Sequence, residues 1–473
     1  MKKLWIYLLL LCILNSIVLF DQSFGINIII FTIPFLIFLL VYMKVNKLIN
    51  NKKGLLFLIP ILVLSTVSSF YSNIFILLNV LVIPVLYILF FVYTTDPTYN
   101  IIDLLKKAIL YIFLPFGKIG NLFLVVTSGI REKIKLNDNT KKFLKALLIV
   151  VPITLLVLWL LTSADMVFGN YFSKVFKIFD YIPNTNIIGR IISILILFTY
   201  IGSVLIYSIN PEKTETKRKT LDYYTIRLLL TVLNIIYIVF DIIQIRSLLL
   251  HHVGNTITYA EYARQGFFQL MFISVINLII ILLSKSTKET KYNKIMSISM
   301  IFLTLIIIAS SFIRMYLYES TYGYTILRLG VYVILITEVL LLIPTIIYVF
   351  NPKFKILRSY LYITIFVYTF INLFSIEKII TENNIKRYYI KNDIDIMYLE
   401  NYNYDNIPQL YDLFKKTEDE ELKEQIINYL GTMKYNLKND NDSIFEYSLS
   451  KEQAKEVLDK IKIKDNKIYI RTE

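Results

Sequence analysis

Along one apolar run of the chain, Thr231, Asn234, Tyr237, Asp241 and Gln244 recur at steps of three and four. That spacing sets all five on one stripe of a helix. A carboxylate in hydrocarbon costs about 3 kcal/mol or more, so Asp241 has to face protein or water. A second acid, Glu338, lies near the middle of another apolar run. One chemistry open to these residues is a polar path that carries a proton, an ion or a small solute between helices. The other is adhesion, with Asp241 paired to an arginine and the stripe hydrogen-bonding neighbouring helices together.

A second group of residues marks helix ends. Arg246, Arg264, Arg314 and Arg328 each lie at one end of four consecutive apolar runs, with Asp241, Glu261 and Glu319 close by in sequence. Tyr259, Tyr262, Tyr316, Tyr318, Tyr322 and Tyr324 fill the spaces between them. A guanidinium can satisfy a carboxylate with its planar fork and stack on a tyrosine ring. Tyrosine also belongs at the headgroup level on general grounds. Such a cluster either locks helix ends together or grips an anionic group such as a lipid-linked phosphate.

Within this group, TYAEYARQGFFQL (258–270) reads as a helix start. Thr258 and Glu261 make a capping box, and Glu261 and Arg264 form an i,i+3 pair on the helix that follows. His251 and His252 are adjacent, hence on different faces, and two further ligands would be needed for zinc, so no metal is expected. No HExxH, GxSxG or glycine-rich phosphate loop occurs, so no cofactor is expected and the familiar hydrolase and nucleotide chemistries are excluded.

What must position these residues is a membrane. Of 473 residues 56% are hydrophobic and 18% charged, and the apolar ones gather into nearly uncharged blocks. About 20 helical residues cross a bilayer core. The spacing predicts spans at 4–20, 26–43, 55–70, 74–93, 144–162, 187–208, 227–249, 267–284, 295–313, 328–350 and 358–374. The expected fold is therefore all-α: a polytopic transmembrane helical bundle of about eleven spans with a small C-terminal extramembrane helical domain. The transmembrane domain is 1–374, with interfacial helices near 101–130 and 166–182; the C-terminal domain is 375–473. The first run could instead be a cleaved signal peptide, although no small-residue cleavage site follows it. Cys12 is the only cysteine, so no disulfide forms within one chain.

The formal net charge of +15 is unevenly spread. From Ser375 onward 16 Lys/Arg face 20 Asp/Glu, while residues 1–374 hold 34 against 15. Basic residues in short loops report orientation, and no nucleic-acid partner is expected. With the N-terminus cytoplasmic, the inner loops hold 27 Lys/Arg and the outer ones 7. An odd number of spans then places 375–473 outside the cell membrane. In that tail, 407–433 reads as two amphipathic helices meeting at Thr417–Glu420, with Thr417 capping the second, and 451–463 as a third.

Four stretches carry a resemblance. TYAEYARQGFFQL is joined by LLTSADMVF (160–168, through Ser163, Ala164 and Asp165), RMYLYESTYGYTILRL (314–329, through Arg314, Tyr318, Tyr322, Gly323, Thr325 and Arg328) and NNIKRYYIKNDIDIMYLENYNYDNIPQL (383–410, through Asn384, Arg387, Tyr388, Asp395, Tyr398, Leu399 and Pro408). Together they resemble an uncharacterised bacterial multi-pass membrane family, domain of unknown function 4173, with a sister family numbered 4153. Tyr324 departs from that pattern, which carries leucine there. The resemblance implies architecture and no activity.

Two candidate sites follow. An outer cluster comprises Asp165, Glu261, Tyr262, Arg264, Arg314, Tyr318, Tyr322 and Arg328. An intramembrane path comprises Asn234, Tyr237, Asp241, Gln244 and Glu338. The first expectation for function is a membrane-embedded scaffold, sensory or partner-binding protein that meets an extracytoplasmic protein through 375–473, with the lipid bilayer as its other partner. The alternatives are a proton- or ion-coupled transporter of small solutes using Asp241 and Glu338, and an enzyme on lipid-linked anionic substrates. Transport requires water to reach both acids; the enzyme requires free arginines.

Overall fold

The computed structural model describes residues 2–72, 74–95, 111, 185–209, 223–249, 267–284, 290–402, 404–439, 443–464 and 467–470. Helices stand at ten of the eleven expected span positions, and the eleventh, 144–162, lies outside the described residues, as do most of 101–130 and all of 166–182. In chain order they are α1 (Lys2–Val18), α2 (Asn27–Val45), α3 (Leu58–Val67), α4 (Ile74–Thr95), α5 (Thr185–Ile209), α6 (Tyr223–Leu249), α7 (Phe267–Ser284), α8 (Lys291–Tyr322), α9 (Ile326–Phe350) and α10 (Ile356–Ile371).

Among the described residues five segments are long and apolar enough to cross a membrane: Asn27–Val45, Phe75–Thr95, Gly189–Ile206, Lys291–Tyr322 and Ile326–Phe350. A sixth arises only if α10 is joined across a 61° bend to the helix after it. That next helix, α11 (Ile376–Lys391), carries Glu377, Lys378, Glu382, Lys386, Arg387 and Lys391, which keep it out of hydrocarbon. Leu4–Val18 and Gln269–Ser284 are apolar but shorter. The expected span at 55–70 is built differently from the others. A 3₁₀ segment, Lys52–Phe57, precedes the ten residues of α3. At about 2.0 and 1.5 Å per residue the two together reach roughly 27 Å.

The chain divides into two compact units. The first holds α1 to α3, most of α4, α5 and the 443–447 turn. There Arg190 donates to the Ser16 carbonyl at 2.6 Å, and the Tyr42 hydroxyl donates to the Leu205 carbonyl at 2.7 Å, tying α5 to α1 and α2. Thr94 lies against Gly54 so closely that a Cβ there would meet the Thr94 backbone at 2.8 Å, which only glycine permits.

The second unit holds residues 70–78 and the described chain from α6 onward, apart from that turn. Its first part is the helical bundle α6 to α10, with Leu230, Ile281, Met300, Ile307 and Leu335 fully buried between helices. Its remainder is α11, α12 (Ile396–Leu399), α13 (Ile407–Lys416), α14 (Glu420–Asn439) and α15 (Leu449–Leu458). These share a separate core of Ile380, Leu399, Ile407, Leu410, Ile426 and Leu430, against which Phe75, Tyr324, Ile326 and Leu329 also pack.

Three details of this tail correct the sequence reading. The cap of α14 is Asp419, whose Oδ1 accepts from the backbone N–H of Glu421 and Leu422 at 3.0 and 3.1 Å. Thr417 instead accepts from the Asp419 N–H at 3.2 Å and shares a 3.0 Å hydrogen bond with Tyr388. A carboxylate two residues closer to the helix reaches its first free N–H groups more directly. The third helix ends at Leu458, and a two-stranded antiparallel hairpin follows, β1 (Ile461–Lys464) and β2 (Lys467–Ile470), with Ile461 opposite Ile470. The fold is therefore helical with one hairpin. Ile-Lys-Ile-Lys alternates with period two, and β-branched residues at that period favour a strand.

Candidate functional site

Hydrogen bonds fix the register of the bundle α6 to α9. Thr231 meets the Tyr292 hydroxyl at 2.6 Å and Asn234 donates to the Met296 carbonyl at 3.1 Å, so α6 and α8 run parallel. Asn277 donates to Thr304 at 3.0 Å and Ser284 meets Ser297 at 3.3 Å, so α7 runs against α8. Tyr237 donates to Asn277 at 2.7 Å. The stripe on α6 thus acts as adhesive through Thr231, Asn234 and Tyr237. Gln244 lies where side chains are outside the described residues.

The two acids behave differently from the rest of the stripe. Asp241 is 3% exposed, and among the described residues no arginine pairs with it and neither of its carboxylate oxygens has a hydrogen-bonding partner. Glu338 is 2% exposed and accepts a hydrogen bond from Ser274 at 2.5 Å, while its Oε1 has no partner among the described residues. Carrying the register forward sets Asp241 level with Leu303 of α8 and Ser274 level with Ile307. The two acids therefore lie within about 6 Å of one another in depth, at 1.5 Å per residue. Both are closed off from solvent by packed side chains.

At the far end of α8 each charged group has partners, although the Oε2 of Glu319 and the Nε of Arg387 have none among the described residues. Helix α8 ends because Gly323 adopts φ +83°, ψ −178°, a conformation open essentially to glycine alone. Its N–H caps the helix by donating to the Glu319 carbonyl at 2.7 Å. Thr325 then caps α9 by accepting from the Arg328 N–H. The Arg328 guanidinium donates to the carbonyls of Tyr322 (2.9 Å) and Gly323, and lies 4.3 Å from the centre of the Tyr318 ring. Glu319, 4% exposed, lies beside the hydroxyls of Tyr324 and Tyr332 and feels the charge of Arg328, while its Oε2 has no hydrogen-bonding partner among the described residues. Burial and that carboxylate push the Tyr324 hydroxyl up to about 12, so it remains a donor. The tyrosine that departs from the resembled pattern is thus a working part of the cluster.

The tail closes over this turn. Asn384 accepts from the Tyr324 N–H at 2.8 Å and donates to the Tyr324 carbonyl at 2.9 Å. A Cβ on Gly323 would stand 2.7 Å from the Asn384 Oδ1. Arg387 donates to the Thr321 carbonyl at 2.7 Å, to the Asp393 carboxylate at 2.7 Å and to the Asp393 carbonyl at 3.1 Å. Lys391 donates to the Ser320 carbonyl, and the Tyr398 hydroxyl accepts from the Ile326 N–H at 2.9 Å. Together these residues form a clasp that consumes the backbone groups left open where two helices meet a turn.

Of the expected outer cluster, the clasp brings together Tyr318, Tyr322 and Arg328. Arg314 is 5% exposed and packed inside the bundle. Asp165, Glu261, Tyr262, Arg264 and the 258–261 capping box lie outside the described residues. Charge placement alone missed Tyr332 and Lys391 as members. Asn384, Arg387 and Tyr398 are singled out in the sequence only by the resemblance, through the stretch 383–410.

Several long apolar helices around a buried polar core define this chain as a membrane-embedded helical protein. It matches the family described as Domain of unknown function (DUF4153) over residues 58–413, about three quarters of its length, and it belongs to that family. The match is to the family named above as the sister, rather than to 4173. No curated protein and no solved structure matches the chain.

Proposed function

We propose that this protein is a membrane-embedded scaffold, with about eleven spans and a cytoplasmic N-terminus, that presents its 375–473 domain to an extracytoplasmic protein partner. The observation that supports this reading is the clasp. Asn384, Arg387, Lys391 and Tyr398 fasten the first part of the tail to the turn between α8 and α9, so the domain is held by the spans rather than tethered on a linker. A domain that is pre-oriented in this way binds with less loss of rotational freedom. The same geometry weakens the enzyme reading, because Arg328 is already spent on two carbonyls and a tyrosine ring, and Arg314 is buried.

Two measurements test the scaffold. Reporter fusions after residue 374 and after residue 473 should both report the outside; a cytosolic signal would reverse the proposed orientation. Removing 375–473 should abolish the cellular phenotype of the gene while the spans still insert. Full complementation by the truncated chain would end the scaffold reading.

The transporter reading draws on one observation, two buried acids at nearly one depth on α6 and α9, helices that both pack against α7 and α8. It requires a second conformation in which water reaches them. Labelling of Asp241→Cys and Glu338→Cys by a water-soluble thiol reagent would reveal such a state. No reaction from either side, under conditions where an exposed cysteine reacts fully, would remove transport.

A further inference from the structure

Segment 389–397 exposes large apolar side chains in a part of the tail whose height above the bilayer can be derived. Ile390 is 82% exposed, Met397 79% and Tyr389 56%. A soluble surface rarely groups such residues without a partner. Two anchors bracket the segment. On one side the contacts of α11 descend along α8: Asn384 at Tyr324, Arg387 at Thr321, then Lys391 at Ser320. On the other, Tyr398 holds the N–H of Ile326, the first residue of α9.

The height of those anchors follows from the pairing of α8 with α9. Arg328 lies over Tyr318, Phe312 against Tyr332 at 4.8 Å, and Lys294 over Phe350, so the helices are antiparallel with a constant register. The uncharged face of α9 begins at Leu329, beside Leu317 of α8. Ser320 stands three residues beyond, about 4.5 Å along the axis. The headgroup layer is about 5 to 7 Å deep on each side of the hydrocarbon. Leu327, 74% exposed on the first turn of α9, lies at the same level.

We propose that Tyr389, Ile390 and Met397 form a foot by which the tail rests in the headgroup layer of the bilayer, with the lipid surface as its occupant. Charge does not drive this contact. Lys386, Arg387 and Lys391 are balanced nearby by Glu382, Asp393 and Asp395. The contact therefore forms on zwitterionic lipid by burial of apolar area. It fixes which face of the tail is left for a protein, and it holds for either orientation of the chain in the membrane.

The test uses the full chain in nanodiscs of zwitterionic lipid, with an environment-sensitive dye on Ile390→Cys or Met397→Cys. Cys12 is buried and does not compete for label. Both dyes should be quenched several-fold more by a nitroxide at the shallow end of the acyl chain than by one near its terminus, and shielded from aqueous iodide. Iodide quenching equal to that of free dye, with no nitroxide effect, would overturn the proposal. Shallow quenching that appears only with anionic lipid would overturn it too, because charge would then be the cause. The double variant Ile390→Asp, Met397→Asp changes side chains that touch little protein. It should leave thermal unfolding unchanged and raise amide exchange across 386–400; unchanged exchange would count against the foot. None of these readouts depends on the scaffold having a partner.

Discussion

The turn between α8 and α9 and the middle of the bundle treat charge differently. At the turn between α8 and α9, Arg328 and Arg387 donate to carbonyls or a carboxylate and Glu319 lies among tyrosine hydroxyls near Arg328, with only the Nε of Arg387 and the Oε2 of Glu319 left over among the described residues. In mid-bundle, both oxygens of Asp241 and the Oε1 of Glu338 are buried with nothing to accept from among the described residues. A satisfied charge holds structure together, whereas an unpaired buried one costs stability and persists where something other than stability requires it. The clasp, with its several hydrogen bonds to each charged group, is accordingly architectural.

Substitutions should separate the two regions by sign as well as size. The largest effect is expected from Gly323→Ala, since φ +83° with ψ −178° is strained for any Cβ and Asn384 is in the way; unfolding of the clasp should be easier by about 3 kcal/mol. Amide exchange at 384–398 in the reconstituted protein measures it, and wild-type exchange would mean that the turn does not hold the tail. Arg387→Ala removes three charge-assisted hydrogen bonds and should cost about 2 kcal/mol by the same readout. Arg387→Lys should recover little of it, because one ammonium cannot span carbonyl and carboxylate together.

The bundle should respond the other way. Asp241→Leu, which replaces an unpaired carboxylate by an apolar group of similar size, should raise thermal stability by about 1 kcal/mol or leave it unchanged. A loss instead would show that Asp241 has a partner, and would make the two regions alike. Asp419→Ala, at the exposed start of α14, should cost about 1 kcal/mol through its lost cap, seen as fraying of that helix by exchange.

The smallest effect concerns pH. Asp405 is buried, and desolvation holds its carboxyl above the ordinary range, partly opposed by hydrogen bonds from Ser450, Ser72 and Ser375 and by the charge of Lys378. The folded state then keeps its proton to higher pH than the unfolded one. Its contribution is complete below the unfolded value, about 4, and is lost as pH rises through the higher folded value. Unfolding of the tail, followed from pH 4 upward, should show a shallow decline in stability that Asp405→Asn abolishes. An identical slope in the variant would assign the decline to another group.

How far each region could be read in advance differs for a physical reason. Hydrophobic blocks and loop charges placed ten of the eleven expected spans on helices, because helix length and burial are local properties of composition. The stripe on α6 was legible for the same reason, and its hydrogen bonds to α7 and α8 followed. That no arginine among the described residues would pair with Asp241 was not legible, since a partner is a matter of where other helices stand. In the tail, propensity suggested a cap at Thr417 and a helix through 463; Asp419 and the hairpin replaced them where a nearer acceptor and a period-two run competed.

Sequence alone determined the class of molecule. Long uncharged blocks have no low-energy place in water, and Gly323 had to be glycine wherever a chain turns through that conformation. Tertiary structure decided the partners. Residues 318–328 and 384–398 are some sixty positions apart, and only folding could show that the open carbonyls of one are what the arginine, lysine and asparagine of the other are shaped to hold. Backbone groups left unpaired at a helix end demand satisfaction, but the chain does not announce which distant side chain supplies it.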